Sequence, residues 1–137
     1  MDERYRLVEG VPPVEDYCRL RAISGLTPRT PEAARLGLPH TVHGVHVQRD
    51  GAIVGMGRVI GDGALVFQVV DVAVDPAHQG RGLGKAIMGA LVAHLRARVP
   101  AEAYVSLIAD GEAHRLYAQF GFEPVAPASI GMAQWLR

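Results

Sequence analysis

The chain has 137 residues, enough for one domain and too few for two, so residues 1–137 are expected to form a single domain. Its 14 Lys+Arg balance 14 Asp+Glu, so no basic excess points to nucleic acid and no acidic tail to disorder. Apolar residues make up 49%, enough for a proper core, and the single cysteine, Cys18, excludes an internal disulfide, which suits a reducing cytoplasm. The start Met1-Asp2-Glu3-Arg4 is charged with no apolar run behind it, so neither a signal peptide nor a membrane span is expected.

In chain order, Tyr5 to Val8 reads as a short strand, stopped by Pro12-Pro13. Val14, Tyr17, Cys18 and Arg21 recur at helical spacing, which predicts a helix from Val14 to Ser24 with one mostly apolar face. Thr30 is a good N-cap, with Pro31 at the first helical position, and predicts a short helix through Leu36. His40 to Arg49 and Ala52 to Ile60 are β-rich runs joined by the hairpin signal Asp50-Gly51. Leu65 to Val74 is too apolar for a sheet edge and is expected to lie centrally.

Leu83, Ile87, Leu91 and Leu95 form one stripe, which predicts a long helix from Gly82 to about Arg98, ended by Pro100. Ala103 to Ile108 reads as a strand. Asp110 is expected to cap a helix from Gly111 to Phe120, and Phe122 to Val125 and Met132 to Leu136 are expected to be the last strands. The order predicts an α+β or mixed α/β domain.

The segment with the most chemistry runs from Val72 to Lys85, where a buried strand leads through a glycine-rich turn into the long helix. Alternate glycines keep side chains away from a ligand, and the free N–H groups of a helix start make an anion site suited to a diphosphate. Arg81 and Lys85 add positive charge. A Walker loop does not fit: Gln79 stands where its first glycine belongs, and Ala86 follows the lysine. A dinucleotide fingerprint does not fit either, because the spacing is G-x-G-x-G. A glycine turn that binds nothing is the bland alternative.

Gln79-Gly80-Arg81-Gly82-Leu83-Gly84 resembles the Q/R-x-x-G-x-G/A signature of the GCN5-related N-acetyltransferase (GNAT) family. Ala113-His114-Arg115-Leu116-Tyr117-Ala118-Gln119-Phe120-Gly121-Phe122 is similar to that family's second signature, and the element order matches over essentially the whole chain. Ala109-Asp110, Gly131-Met132 and Trp135 are similar to plastid and cyanobacterial serotonin-type acetyltransferases. The chain departs from the wider family at Asp110, where many members carry Asn, and at Gln68, where the histone-acetylating branch places a glutamate base.

The resemblance implies a central, mostly antiparallel twisted sheet with a splayed parallel strand pair and helices on both faces. It implies acetyl-CoA as co-substrate, with the backbone of Val72, Ala73 and Val74 pairing with the pantetheine arm. Gln79, Gly80, Arg81, Gly82, Leu83, Gly84 and Lys85 would hold the pyrophosphate, with Asp110 also at the cofactor site. It implies direct acetyl transfer to a primary amine, here a small molecule, and a homodimer is common in such proteins. A protein or peptide N-acetyltransferase and a non-catalytic acyl-CoA sensor are the alternatives.

A primary amine with a pKa of about 10.4 costs about 4–5 kcal/mol to deprotonate at neutral pH, so the site must help remove that proton. The Val72 N–H is expected to stabilise the oxyanion and Tyr117 to protonate the leaving thiolate, against the plain reading of Tyr117 as a packed core residue. Asp71, the one acid inside the Leu65–Val74 run, is a base, an anchor for the acceptor ammonium or a structural hydrogen-bonder. His40, His43 and His46 invite a metal reading, but in a strand His43 and His46 point to opposite faces, so no metal is expected. His78 and His114 are expected to be exposed, and Arg29 to be a solvated loop residue.

Overall fold

The computed structural model describes residues 1–136. Its strands are β1 (Arg6–Glu9), β2 (His43–Arg49), β3 (Ala52–Gly61), β4 (Val66–Val74) and β5 (Tyr104–Ser106). The helices are α1 (Val14–Ile23), α2 (Pro31–Gly37), α3 (Leu83–Arg98) and α4 (His114–Ala118). The strands form one sheet in the order β1-β2-β3-β4-β5, antiparallel throughout except for the parallel pair β4 and β5. Asp50 and Gly51 both have positive φ, the conformation that a two-residue hairpin between twisted strands requires.

Side chains alternate across a strand, and β3 uses this to receive helices on both faces. Met56 packs with Tyr17 and Leu20 of α1 and with Ala34 of α2. Gly57 turns the other way, against α3, so closely that a Cβ there would lie 2.5 Å from Ile87 Cγ2 and 3.2 Å from Leu91 Cδ1. Leu83, Ile87, Met88, Leu91 and Leu95 give α3 its buried stripe. The Thr30 hydroxyl accepts from the Ala33 N–H at 3.2 Å and caps α2.

The C-terminal third departs from the sequence expectation. Only Tyr104–Ser106 of the Ala103–Ile108 run is strand, and α4 covers five residues of the expected Gly111–Phe120 helix. The Asp110 side chain caps nothing there; its backbone carbonyl accepts from the Ala113 N–H in a turn. Phe122 to Val125 and Met132 to Leu136 are irregular, not strands. A strand needs a neighbour for its backbone groups, and β5 pairs through three residues only. Phe122 packs against the core, but Ile130, Met132 and Leu136 stay outside it, 72%, 86% and 90% exposed.

Candidate active site

The site begins at a fault in β4. Between β3 and β4, Met56 faces Ala73 but Arg58 faces Val70, so β4 carries an extra residue at Asp71 and Val72. This is a β-bulge, and Asp71 sits in it at φ 58, a left-handed conformation that aspartate tolerates better than most residues. Just before the bulge β4 also parts from β5, whose pairing ends at Gln68 opposite Ser106. From Val69 to Val74 one edge of β4 is therefore not covered by a strand. This opening is the splayed slot that the family resemblance implied.

The Asp71 carboxylate is buried with three donors around it. Arg21 Nη1 of α1 donates at 2.5 Å, Arg58 Nε of β3 at 2.6 Å and the Tyr17 hydroxyl at 3.0 Å. The Arg21 and Asp71 side chains are 8% and 6% exposed, so this is an interior ion pair. Arg21 also donates from Nε to the Thr27 carbonyl, and Arg58 from Nη1 to the Thr41 hydroxyl. Burial, then the Asp71 charge, push the Tyr17 hydroxyl above the ordinary tyrosine pKa, so it stays a donor. The sequence alone does not name Arg21, Arg58 and Tyr17 as partners of Asp71. The signal was Arg21 itself, a charge on the apolar face of α1, which had to be paired.

The turn into α3 leaves its backbone open. Gly80 and Gly82 have φ of 79° and 80°, and a Cβ on either would meet nothing within 4 Å, so the backbone lies open. Gly82 precedes α3 with no side chain capping it, which leaves the N–H groups of the first turn free. Arg81 and Lys85 are exposed beside them. Gln79 is bonded within the turn: its N–H points to the Pro76 carbonyl at 3.4 Å, and its side-chain amide donates to the Val74 carbonyl at 3.1 Å. It pins the turn to the end of β4.

Two hollows meet at the bulge, with Val70 and Asp71 in the wall of both. One, of about 160 Å³, follows the slot and is lined by Val72, Asp110 and Tyr117. The other, of about 350 Å³, lies against α2 and is lined by Arg29, Arg58 and Gln68. Tyr117 is half-buried, and burial followed by the charge of Asp110 raises its pKa above the ordinary tyrosine value. It therefore keeps its proton at neutral pH.

The histidines separate as strand geometry requires. His46 is buried, its Nδ1 donating to the Gly10 carbonyl at 2.8 Å. His78 is partly buried against the Tyr5 hydroxyl at 2.9 Å, not simply exposed. His43 meets His94 of α3, a residue the sequence reading passed over, and Glu9; their ligand atoms lie within 4.8 Å of one another. The two rings stack with centroids 3.6 Å apart and planes 5° from parallel. In-plane lone pairs on stacked rings do not converge, so one ring must turn before both hold one ion.

Solved structures share this fold along nearly all of the chain. A Staphylococcus aureus protein of unknown function, described as a probable acetyltransferase, is 42% identical with a TM-score of 0.92, covering 96% of this chain and 99% of that one. A GNAT family protein from Streptococcus pneumoniae has the same fold at 24% identity, with a TM-score of 0.76 and coverage of 97% and 98%. The profile of the Acetyltransferase (GNAT) domain matches residues 41–124, and the chain belongs to that family of acetyltransferases.

Among named relatives, the chloroplastic GCN5-related N-acetyltransferase 2 of Arabidopsis thaliana is 40% identical over 85 residues, 62% of this chain and 32% of that protein. The chloroplastic serotonin N-acetyltransferase 2 of Oryza sativa subsp. japonica is 39% identical over 83 residues, 61% of this chain and 40% of that protein. The match thus spans well under half the length of these plant proteins. No helix among the described residues is long and apolar enough to cross a membrane.

Proposed function

We propose that the protein is an acetyl-CoA-dependent N-acetyltransferase that passes the acetyl group directly to the primary amine of a small molecule. One observation carries this reading. The uncovered edge of β4, which runs on into the open glycine turn, and Tyr117 border one hollow, which meets a second hollow at the bulge. The first suits the cofactor arm and the second suits the acceptor.

Acetyl-CoA supplies a thioester carbonyl as the electrophile. The amides from Gly80 to Gly84, with Arg81 and Lys85, hold its pyrophosphate, and Gln79 keeps their turn in place. Val72, Ala73 and Val74 offer the pantetheine arm a strand edge, with Asp110 at the mouth of the slot. The Val72 N–H, set by the bulge, stabilises the oxyanion. Tyr117, which keeps its proton, gives it to the leaving thiolate. Asp71 fixes the bulge through its two guanidinium partners; water in the acceptor hollow takes the amine proton.

A thiol-release assay with acetyl-CoA against arylalkylamines, polyamines, amino acids and peptides tests the reading. Release confined to one class of free amine is the expected outcome. Measurable CoA binding with no release to any acceptor would replace the enzyme with a non-catalytic acyl-CoA binder.

A further inference from the structure

The hollow against α2 has a charge that the chain as a whole lacks. Asp71 is the one acid in its wall, and it is already paired with Arg21 and Arg58. Arg29 stands in the same wall. Counting Arg21 behind Asp71, three guanidiniums face one carboxylate, a local charge of +2, whereas the whole chain is formally neutral. Gln68 adds a polar group without adding a second negative charge.

Arg29 is the cation that this network leaves over. No ion pair joins it among the described residues. Its guanidinium carbon instead lies 4.8 Å from the centre of the Trp135 ring. Trp135 comes from the far end of the chain, so the tail folds back onto Arg29 in the wall of this hollow. A guanidinium stacked on an aromatic face is held in orientation while its N–H groups, all in its plane, remain available to a carboxylate.

On the acetyltransferase reading, we propose that the acceptor is an amine that also carries a carboxylate, and that Arg29, steadied by Trp135, is the residue that recognises it. The positive wall disfavours a polyamine, which would bring further like charge into the hollow. It also favours the neutral form of the acceptor amine, since nearby positive charge lowers an ammonium's pKa. The amine proton is then lost more easily, as acetyl transfer demands.

The test uses acceptors paired by decarboxylation: phenylalanine with phenethylamine, and lysine with cadaverine. kcat/KM is read by thiol release from acetyl-CoA. The carboxylated member of each pair is expected to be favoured by roughly tenfold or more, the worth of a charge-assisted hydrogen bond. Arg29→Glu should abolish or invert that ratio, and Arg29→Lys should keep part of it. Equal rates within the pairs, or a ratio that Arg29→Glu leaves unmoved in a protein with unchanged melting behaviour, overturns the proposal while acetyl transfer stands. If neither pair is turned over, the same compounds are compared by thermal shift of the CoA-loaded protein. Stabilisation by phenylalanine and not phenethylamine, lost in Arg29→Glu, supports the proposal even as the acetyl-transfer reading falls; no such selectivity overturns it.

Discussion

At the scale of single residues, Tyr117 shows how context changes a plain side chain. At helical spacing with Ala113 and Phe120, and beside Leu116, it reads as packing, and it does touch the α3 side of the core. Yet it also borders the slot, and burial with Asp110 raises its pKa. A proton donor acts only below its pKa, so a donor raised above the ordinary tyrosine value works throughout the neutral range. Tyr117→Phe is expected to lower kcat by about 10²-fold or more with CoA affinity kept, read by steady-state kinetics beside calorimetry. An unchanged kcat would return Tyr117 to packing. The motif made this residue legible; Asp71 was legible only as an acid that needed a partner. Its three donors, Arg21, Arg58 and Tyr17, lie 50, 13 and 54 positions away, and nothing local to Asp71 names them.

At the scale of elements, periodicity was a good guide wherever a face is buried. The α3 stripe, the Asp50-Gly51 hairpin and the Thr30 cap all stand where the sequence put them. The failures fall in the tail, where Phe122 to Val125 and Met132 to Leu136 have strand-like composition but no neighbouring strand among the described residues. β-propensity describes fit to a surface, and it creates no surface to fit.

Two element-level predictions follow from α3. Its approach to β3 depends on Gly57, because the atom a side chain would meet first is a branched methyl of Ile87 that cannot swing aside. Gly57→Val should destabilise by about 1–3 kcal/mol, measured by denaturant midpoint. At the other end of the logic, Gly82→Trp adds bulk where nothing crowds the backbone but a ligand should approach. It is expected to abolish CoA binding in calorimetry; unchanged affinity in a folded protein would sink the pyrophosphate assignment.

A third element-level prediction concerns pH. His43, packed by β2 against α3, has its pKa lowered by burial first, then by His94 and Arg98, with Glu9 opposing. The unfolded chain therefore binds a proton to His43 more readily than the folded one. Stability from this residue is complete above about pH 6.5 and falls as pH drops through that value. His43→Phe should flatten the acid side of the melting-temperature profile; an unaltered slope would show that the stacked pair is not its source.

At the scale of the molecule, α1, β3 and β4 come together through one carboxylate. Arg21 brings α1, Arg58 brings β3, and Asp71 brings the bulge that separates the two hollows. The tie thus fixes how the first helix sits over the slot as well as holding the sheet. Removing the acid alone strands two guanidiniums, one of them deep inside, and that loss is expected to cost about 3–5 kcal/mol. Replacing Arg21 alone leaves Asp71 one guanidinium, so its cost should be smaller. A double-mutant cycle with Asp71→Asn and Arg21→Met, followed by denaturant unfolding, separates the two contributions. A coupling energy of about 1 kcal/mol or more is expected, because either change removes the same short contact. Strictly additive losses would mean that the Arg21–Asp71 contact adds nothing of its own, and that α1 takes its place over the slot through the Tyr17 hydroxyl and apolar packing.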